Sequence, residues 1–204
     1  MRKIITHTFV TLDSVMQAPG GPDEDRTGDF AYGGWTFNYM DDVLDKILHE
    51  FMAIPFELLL GRRTYDIFVK YWPNDTTTEF VATPFNSTRK WVVSHKNINL
   101  SWNNSSLITG DVLKQIKKLK EEDGKDLWVY GSGNLVQTLL ANHLIDVMHI
   151  WIFPVILGKG KRLFENSVQA EGFKLVDSVI STSGVIVATY EPGKEIKTGN
   201  VDGS

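Results

Sequence analysis

Three places in the chain set glycine, hydroxyl or cationic residues where a β-strand pattern ends. Gly131-Ser132-Gly133-Asn134 follows Trp128-Val129-Tyr130 and opens a helical pattern, and Gly61-Arg62-Arg63-Thr64 follows Leu58-Leu59-Leu60 in the same way. Ser94-His95-Lys96 follows Trp91-Val92-Val93. Helix N-termini present free N–H groups and about half a positive charge, glycines let the backbone approach closely, and arginine adds bidentate donors. The chemistry these ends suit is the binding of several phosphates, hence a dinucleotide, and the surplus of cations favours one with a 2′-phosphate. Each piece has an ordinary alternative. Gly-x-Gly between strand and helix is also a common turn, Arg62 and Arg63 also fit a solvated helix start, and His95 alone is an ordinary surface residue. Val136 stands where the Rossmann fingerprint has its third glycine, so that motif is not met. What joins the three is a shared location, since ligands in open α/β sheets bind outside the carboxyl ends of the strands.

The elements that must position them alternate. Arg2–Thr11 reads as a strand, Tyr39–Met52 as an amphipathic helix, and Phe56–Gly61 as a short buried strand after Pro55. Arg62–Trp72 reads as a helix stopped by Pro73, followed by strands at Trp91–Ser94 and Ser105–Thr109. Asp111 caps a helix that ends at Gly124, Asp126–Tyr130 is a strand, and Asn134–Ala141 a helix. The apolar run Ile145–Leu157 predicts a central strand. GFKLVDSVIS and GVIVATYE form a hairpin around Thr182-Ser183-Gly184. The pattern is that of an α/β sandwich with a largely parallel sheet and an antiparallel edge. Residues 1–191 are expected to form one domain and 192–204 a flexible polar tail.

Composition narrows the chemistry. The 204 residues are 42% hydrophobic and 23% charged, with a net charge of −4, which argues against a general grip on nucleic acid. No cysteine is present, so disulfides, thiolate zinc sites and cysteine nucleophiles are excluded. No stretch reaches the ~20 apolar residues of a membrane span. A soluble, cytoplasmic protein is expected.

Read together, LLLGRRTYD, WVVS, VYGSGNLVQTLL and above all LIDVMHIWIFPVILGKGKRLF resemble the dihydrofolate reductase superfamily. The similarity is to its branch containing the reductase domain of bacterial riboflavin biosynthesis, and it covers Arg2 to Glu191 in order. The resemblance implies a three-layer α/β sandwich, a mostly parallel mixed sheet and a C-terminal antiparallel hairpin. It implies an NADPH-dependent reductase that passes a hydride to a small pterin-like, pyrimidine-like or carbonyl/imine substrate. A protein that kept the fold and the nucleotide cleft without the chemistry is the alternative.

On that resemblance Gly131, Ser132, Gly133, Asn134 and Leu135 hold the pyrophosphate. Gly61, Arg62, Arg63 and Thr64 hold phosphates, and Ser94 with His95 lies near the adenosine end. Backbone at Phe9 and Met16 orients the nicotinamide. The family's helix after its mobile loop carries a carboxylate, for which Asp41, Asp42 and Asp45 compete, with Asp41 as the candidate acid. The same three also suit a solvated helix start. Tyr130 stands where the riboflavin-pathway reductase has a glutamate. The loop Gln17–Trp35, with Pro19-Gly20-Gly21-Pro22 and a Gly33-Gly34 hinge, is expected to be a lid in which Gln17 and Trp35 meet the substrate. In the alternative, Trp35 anchors a plain surface excursion. A homodimer is expected, with no nucleic-acid or membrane partner.

Overall fold

The computed structural model describes residues 1–164 and 170–200. The last residues of the expected tail, 201–204, lie outside the described residues. The strand β1 (Ile4–Thr11) alternates β-branched and aromatic residues, so Ile4 and Val10 face one side while Ile5 and Phe9 face the other. A long loop follows, and α1 (Asp42–Met52) opens where Asp41 accepts the Leu44 N–H at 3.0 Å. The expected helix therefore begins later than Tyr39, because Phe37–Tyr39 form a short 3-10 turn.

Then come β2 (Phe56–Gly61), α2 (Arg62–Tyr71), α3 (Glu79–Ser87), β3 (Lys90–Val93) and β4 (Ser105–Ile108). α4 (Val112–Glu121) starts at the Asp111 cap, and β5 (Asp126–Tyr130) leads into α5 (Gly133–Leu140). β6 (Val147–Phe153), β7 (Phe173–Ile180) and β8 (Ile186–Pro192) complete the order. β6 is shorter than the apolar run Ile145–Leu157. Asp146 turns its carboxylate to the Ile4 N–H at 2.7 Å, and Pro154 has no N–H with which to continue the ladder.

The eight-stranded sheet has the order β4-β3-β2-β5-β1-β6-β8-β7. All pairings are parallel except β6 with β8 and β7 with β8, the C-terminal hairpin. Leu58, Leu59 and Leu60 are all fully buried, as expected of a strand covered on both faces. One face packs Leu58, Leu60, Trp128 and Trp151 under α1, α2 and α3. The other packs Ile4, Leu59, Val129 and Ile150 under Ile116 of α4 and Val136 and Leu139 of α5. The link from β1 to β2 thus crosses β5 on one face, and the link from β5 to β6 crosses β1 on the other. Opposed crossovers leave a crevice at the carboxyl ends of β1 and β5.

Candidate cofactor and substrate site

The crevice has an open stretch of backbone. Leu127 N–H donates to Lys3 O at 2.8 Å and Asp146 N–H to Ile4 O at 2.9 Å. By the alternation of a parallel ladder, odd-numbered residues of β1 turn their N–H and C=O toward β5 and even-numbered ones toward β6. β5 ends at Tyr130, opposite His7. Two residues on, Phe9 points its N–H and C=O into the space β5 has left. Thr11, the next on that side, gives its N–H to Val15 O at 2.9 Å.

The wall of that space is the glycine turn. Gly131 at φ 54° and Ser132 at φ 52° both lie in the left-handed region, which reverses the chain into α5. For Ser132 this conformation is strained, and two hydrogen bonds hold it. Its hydroxyl accepts the Gly61 N–H at 3.0 Å, and its own N–H donates to the Thr64 hydroxyl at 3.0 Å. A Cβ on Gly133 would stand 2.9 Å from Met16 Sδ. The turn, the start of α2 and Met16 are therefore one packed unit. Val136 N–H donates to Ser132 O, which leaves the N–H groups of Gly133, Asn134 and Leu135 as the first-turn donors of α5 without intrahelical acceptors.

Cations border it. The ends of β5, β2 and β3 are neighbours in the sheet, so Gly131, Arg62 with Arg63, and Ser94 with His95 occupy one rim. Arg62 Nε donates to both Asp66 oxygens at 2.7 and 2.6 Å, while Arg63 is exposed and forms no ion pair among the described residues. The buried Ser94 hydroxyl donates to Lys96 O at 2.8 Å, and His95 is exposed.

The family described as the RibD C-terminal domain matches residues 2–187. The chain belongs to that family. It is 29% identical over 191 residues to the Bacillus subtilis (strain 168) protein named "Uncharacterized protein YyaP", covering 93% of this chain and 94% of the relative. A Shewanella sp. PV-4 structure described as "Putative riboflavin biosynthesis protein" superposes with a TM-score of 0.69 at 21% identity, covering 95% of this chain and 100% of that one. Dihydrofolate reductase from Enterococcus faecalis superposes with a TM-score of 0.60 at 12% identity, covering 94% and 97%. The expected dihydrofolate-reductase-like sandwich is thus the fold observed.

In this RibD C-terminal chain several residues expected at the ligand are occupied elsewhere. Asp41 caps α1 and accepts from the Thr182 hydroxyl at 2.6 Å and the Ser183 N–H at 2.9 Å, tying α1 to the β7–β8 turn. The Thr182 hydroxyl, with the backbone N–H groups of Leu44 and Ser183, holds its carboxyl well below the usual carboxylate range. A carboxylate so held is an anchor and a poor proton donor. Gln17 is buried, and its amide bridges Asp25 O, Thr27 O and the Lys161 N–H at 3.0, 2.9 and 3.1 Å, so it shapes the loop and offers no free group to a substrate. Trp35 is only 9% exposed, packs edge-on against Phe153 and donates its indole N–H to Gln17 O at 2.8 Å. In this conformation Trp35 fastens the loop to the core, the arrangement of the anchoring alternative. Met16 N–H is likewise donated to Lys161 O at 2.8 Å, so a ligand would meet the carbonyl side of that residue.

Sequence reasoning passed over Asp13. Its carboxylate accepts from the Thr11 hydroxyl and from the Leu157 and Gly158 N–H groups at 2.6, 3.2 and 2.9 Å. The coupling of the Thr11-Leu12-Asp13 strand exit to Leu157-Gly158-Lys159-Gly160 is therefore a physical clamp. An acid immediately after a strand whose neighbour ends in a glycine turn is the signal that could have revealed it.

Proposed function

We propose that this chain is an NADPH-dependent reductase that transfers a hydride to a small pterin-like, pyrimidine-like or carbonyl/imine compound. The observation that carries the reading is the open Phe9 backbone beside the left-handed Gly131–Ser132 turn. A primary carboxamide has one donor and one acceptor face, the complement of a free peptide N–H and C=O, and Phe9 offers that pair at the crevice. The donors of Gly133, Asn134 and Leu135 suit a pyrophosphate, and the space is kept by residues without a Cβ at 131 and 133. Gly61 and Thr64 hold the turn in place. Arg62 and Arg63 would meet phosphate, with Ser94 and His95 toward the adenosine end. When bound, the cofactor supplies the hydride; the chain's residues position it and keep water from the reacting atoms.

The Enterococcus faecalis enzyme of this fold is complexed with NADP(H), which favours the same ligand class here. A cytoplasmic homodimer is part of the proposal. The rival, a nucleotide-binding protein without chemistry, draws on one observation: Asp41, the expected acid, is bonded into the α1 cap. Fluorescence titration with NADPH, followed by an oxidation assay against pterins, pyrimidine flavin precursors and reactive carbonyls, separates them. Binding with turnover is expected. Binding without turnover on every class favours the rival, and no binding of NADPH overturns both.

A further inference from the structure

The C-terminal hairpin carries its charge on one face only. The register pairs Val10 with Ile152, Ile152 with Ile186, and Ile186 with Ile180. Two residues along, Ile150 is partnered with Ala188 and Ala188 with Ser178, and beyond them Met148 with Tyr190 and Tyr190 with Leu175. Cross-strand partners point to the same face, here the one on which α4 and α5 lie. None of these side chains is charged. On the opposite face the same strands set His7 and His149 against Phe51 of α1 and turn Lys174, Asp177 and Glu191 to solvent.

An apolar strand face belongs in a core. Toward the middle of the sheet it is in one, since Met148 and Ile150 are buried in the cluster that holds Leu139 of α5. Toward the edge it is not. Leu175, Ile180 and Ile186 are exposed, Ile180 to 70%. Beside them is a groove of about 280 Å³ whose lining includes Ile152, Tyr190, Phe164 and, from the β1 exit, Leu12. Phe164 and Leu12 are exposed as well. One exposed hydrophobic residue is ordinary, but these five are joined through Ile152 and Tyr190. Together they show on the order of 500 Å² to solvent, the size at which an apolar patch marks an interface.

We propose that a second copy of this chain docks on this face, its hairpin seated over the groove of the first and the reverse. The proposal names the surface for the homodimer of the functional reading; it rests on that part alone and not on the hydride chemistry. Charge favours a second copy. Chains of net charge −4 repel one another, and an uncharged face is where contact is least opposed. Such a face is also self-complementary, as a two-fold contact requires, because no like charges meet across it. A lipid surface would be drawn by cations around the patch, yet β7 and β8 hold Asp177 and Glu191 against Lys174 alone. Pairing along the open edge of β7 is opposed by its charges and by the bulge between Leu175 and Asp177. Size agrees too. A stable interface hides about 800 Å² per partner, of which this patch supplies more than half and a polar rim the rest.

Sedimentation equilibrium of the full chain at micromolar concentration should give the mass of two chains. Ile180→Lys and Leu175→Lys each enter a two-fold contact twice, and each should raise the dissociation constant by about a hundredfold or more. Val179→Lys, one residue from Ile180 and on the opposite face, should leave the mass unchanged. Circular dichroism checks that each variant is folded. The chain has no cysteine, so Ser178→Cys supplies a single thiol on the proposed contact and Asp177→Cys one on the opposite face. Maleimide labelling of the first should slow as protein concentration rises, while that of the second should not; this pair decides the matter if a lysine variant fails to fold. A parent with the mass of one chain overturns the proposal and the homodimer with it. A two-chain parent that both face variants leave intact, or that Val179→Lys disrupts equally, overturns the face alone. NADPH titration of the same samples reports on the reductase reading independently of either result.

Discussion

Replacing Trp35 with alanine separates an anchor from a lid. The indole is 9% exposed, meets Phe153 edge-on at 5.2 Å and donates to Gln17 O at 2.8 Å, at the point where the loop rejoins the core. Truncating a buried tryptophan costs about 3–5 kcal/mol, and in a chain of this size each kcal/mol lowers Tm by about 2–4 °C. Trp35→Ala should therefore melt roughly 6–20 °C below the parent. Trp35→Phe keeps most of the ring contact and loses the indole hydrogen bond, a smaller loss of about 1–2 kcal/mol. Thermal melts and urea titrations followed by circular dichroism measure the effect. NADPH binding and turnover are then compared below both transitions, per folded molecule, where the alanine variant should match the parent. Parent-like melting combined with lost turnover would show the ring acting on a ligand and refute the anchor.

Changing Arg62 and Arg63 together to alanine should weaken NADPH by about tenfold or more, at ~1.5–3 kcal/mol per charge-assisted bond, and weaken NADH much less; equal losses in titrations of the two cofactors would place the pair at the pyrophosphate instead. Both buried histidines have folded values below the usual 6.5, so as pH falls from there toward about 4 the unfolded chain takes up protons the folded one refuses. Stability, read as urea midpoints, should fall across that window, and His149→Phe should flatten the fall. Asp41→Asn should lower Tm near neutral pH and leave the pH profile of turnover unchanged, because a carboxyl held below its usual range contributes stability above that range and loses it only in acid. A shifted turnover profile would return Asp41 to the chemistry.

Legibility in the sequence followed how local each signal was. β5 and α5 could be read because Tyr130, Gly131 and Gly133 mark the junction within a few residues, and β2 because its apolar run is bounded by Pro55 and Gly61. α3 escaped because Pro84 sits inside it and a threonine-rich segment precedes it, and both read as loop. Asp41 is legible as a helix cap but not as the partner of Thr182 and Ser183, which are distant in the chain. The loop carries the hinge-like residues of a lid, yet Gly33 is pressed on the carbonyls of Gly21 and Pro22 at 2.6 and 2.7 Å from its notional Cβ, a packing requirement that looks like mobility in one dimension. The stacking of His7 on Tyr130 and its approach to His149 needed the register of three strands, which no local pattern in β1 carries.

The placement of β1 between β5 and β6 also bears on how the chain is made. Its ladder joins Ile4 to Leu127 on one side and Thr11 to Phe153 on the other. During synthesis at ~5–20 residues per second, roughly 7–28 s separate the emergence of Thr11 from that of Phe153. Until β5 has emerged, β2, β3 and β4 can pair only among themselves, and β1 lacks its second neighbour until β6 has followed. Insertion of β1 creates the crevice, frees Phe9 and aligns His7 with Tyr130 in one late event. Nascent chains stalled before Val147 should therefore be held by chaperones or degraded, and ligand competence should arise in a single step with the completed sheet.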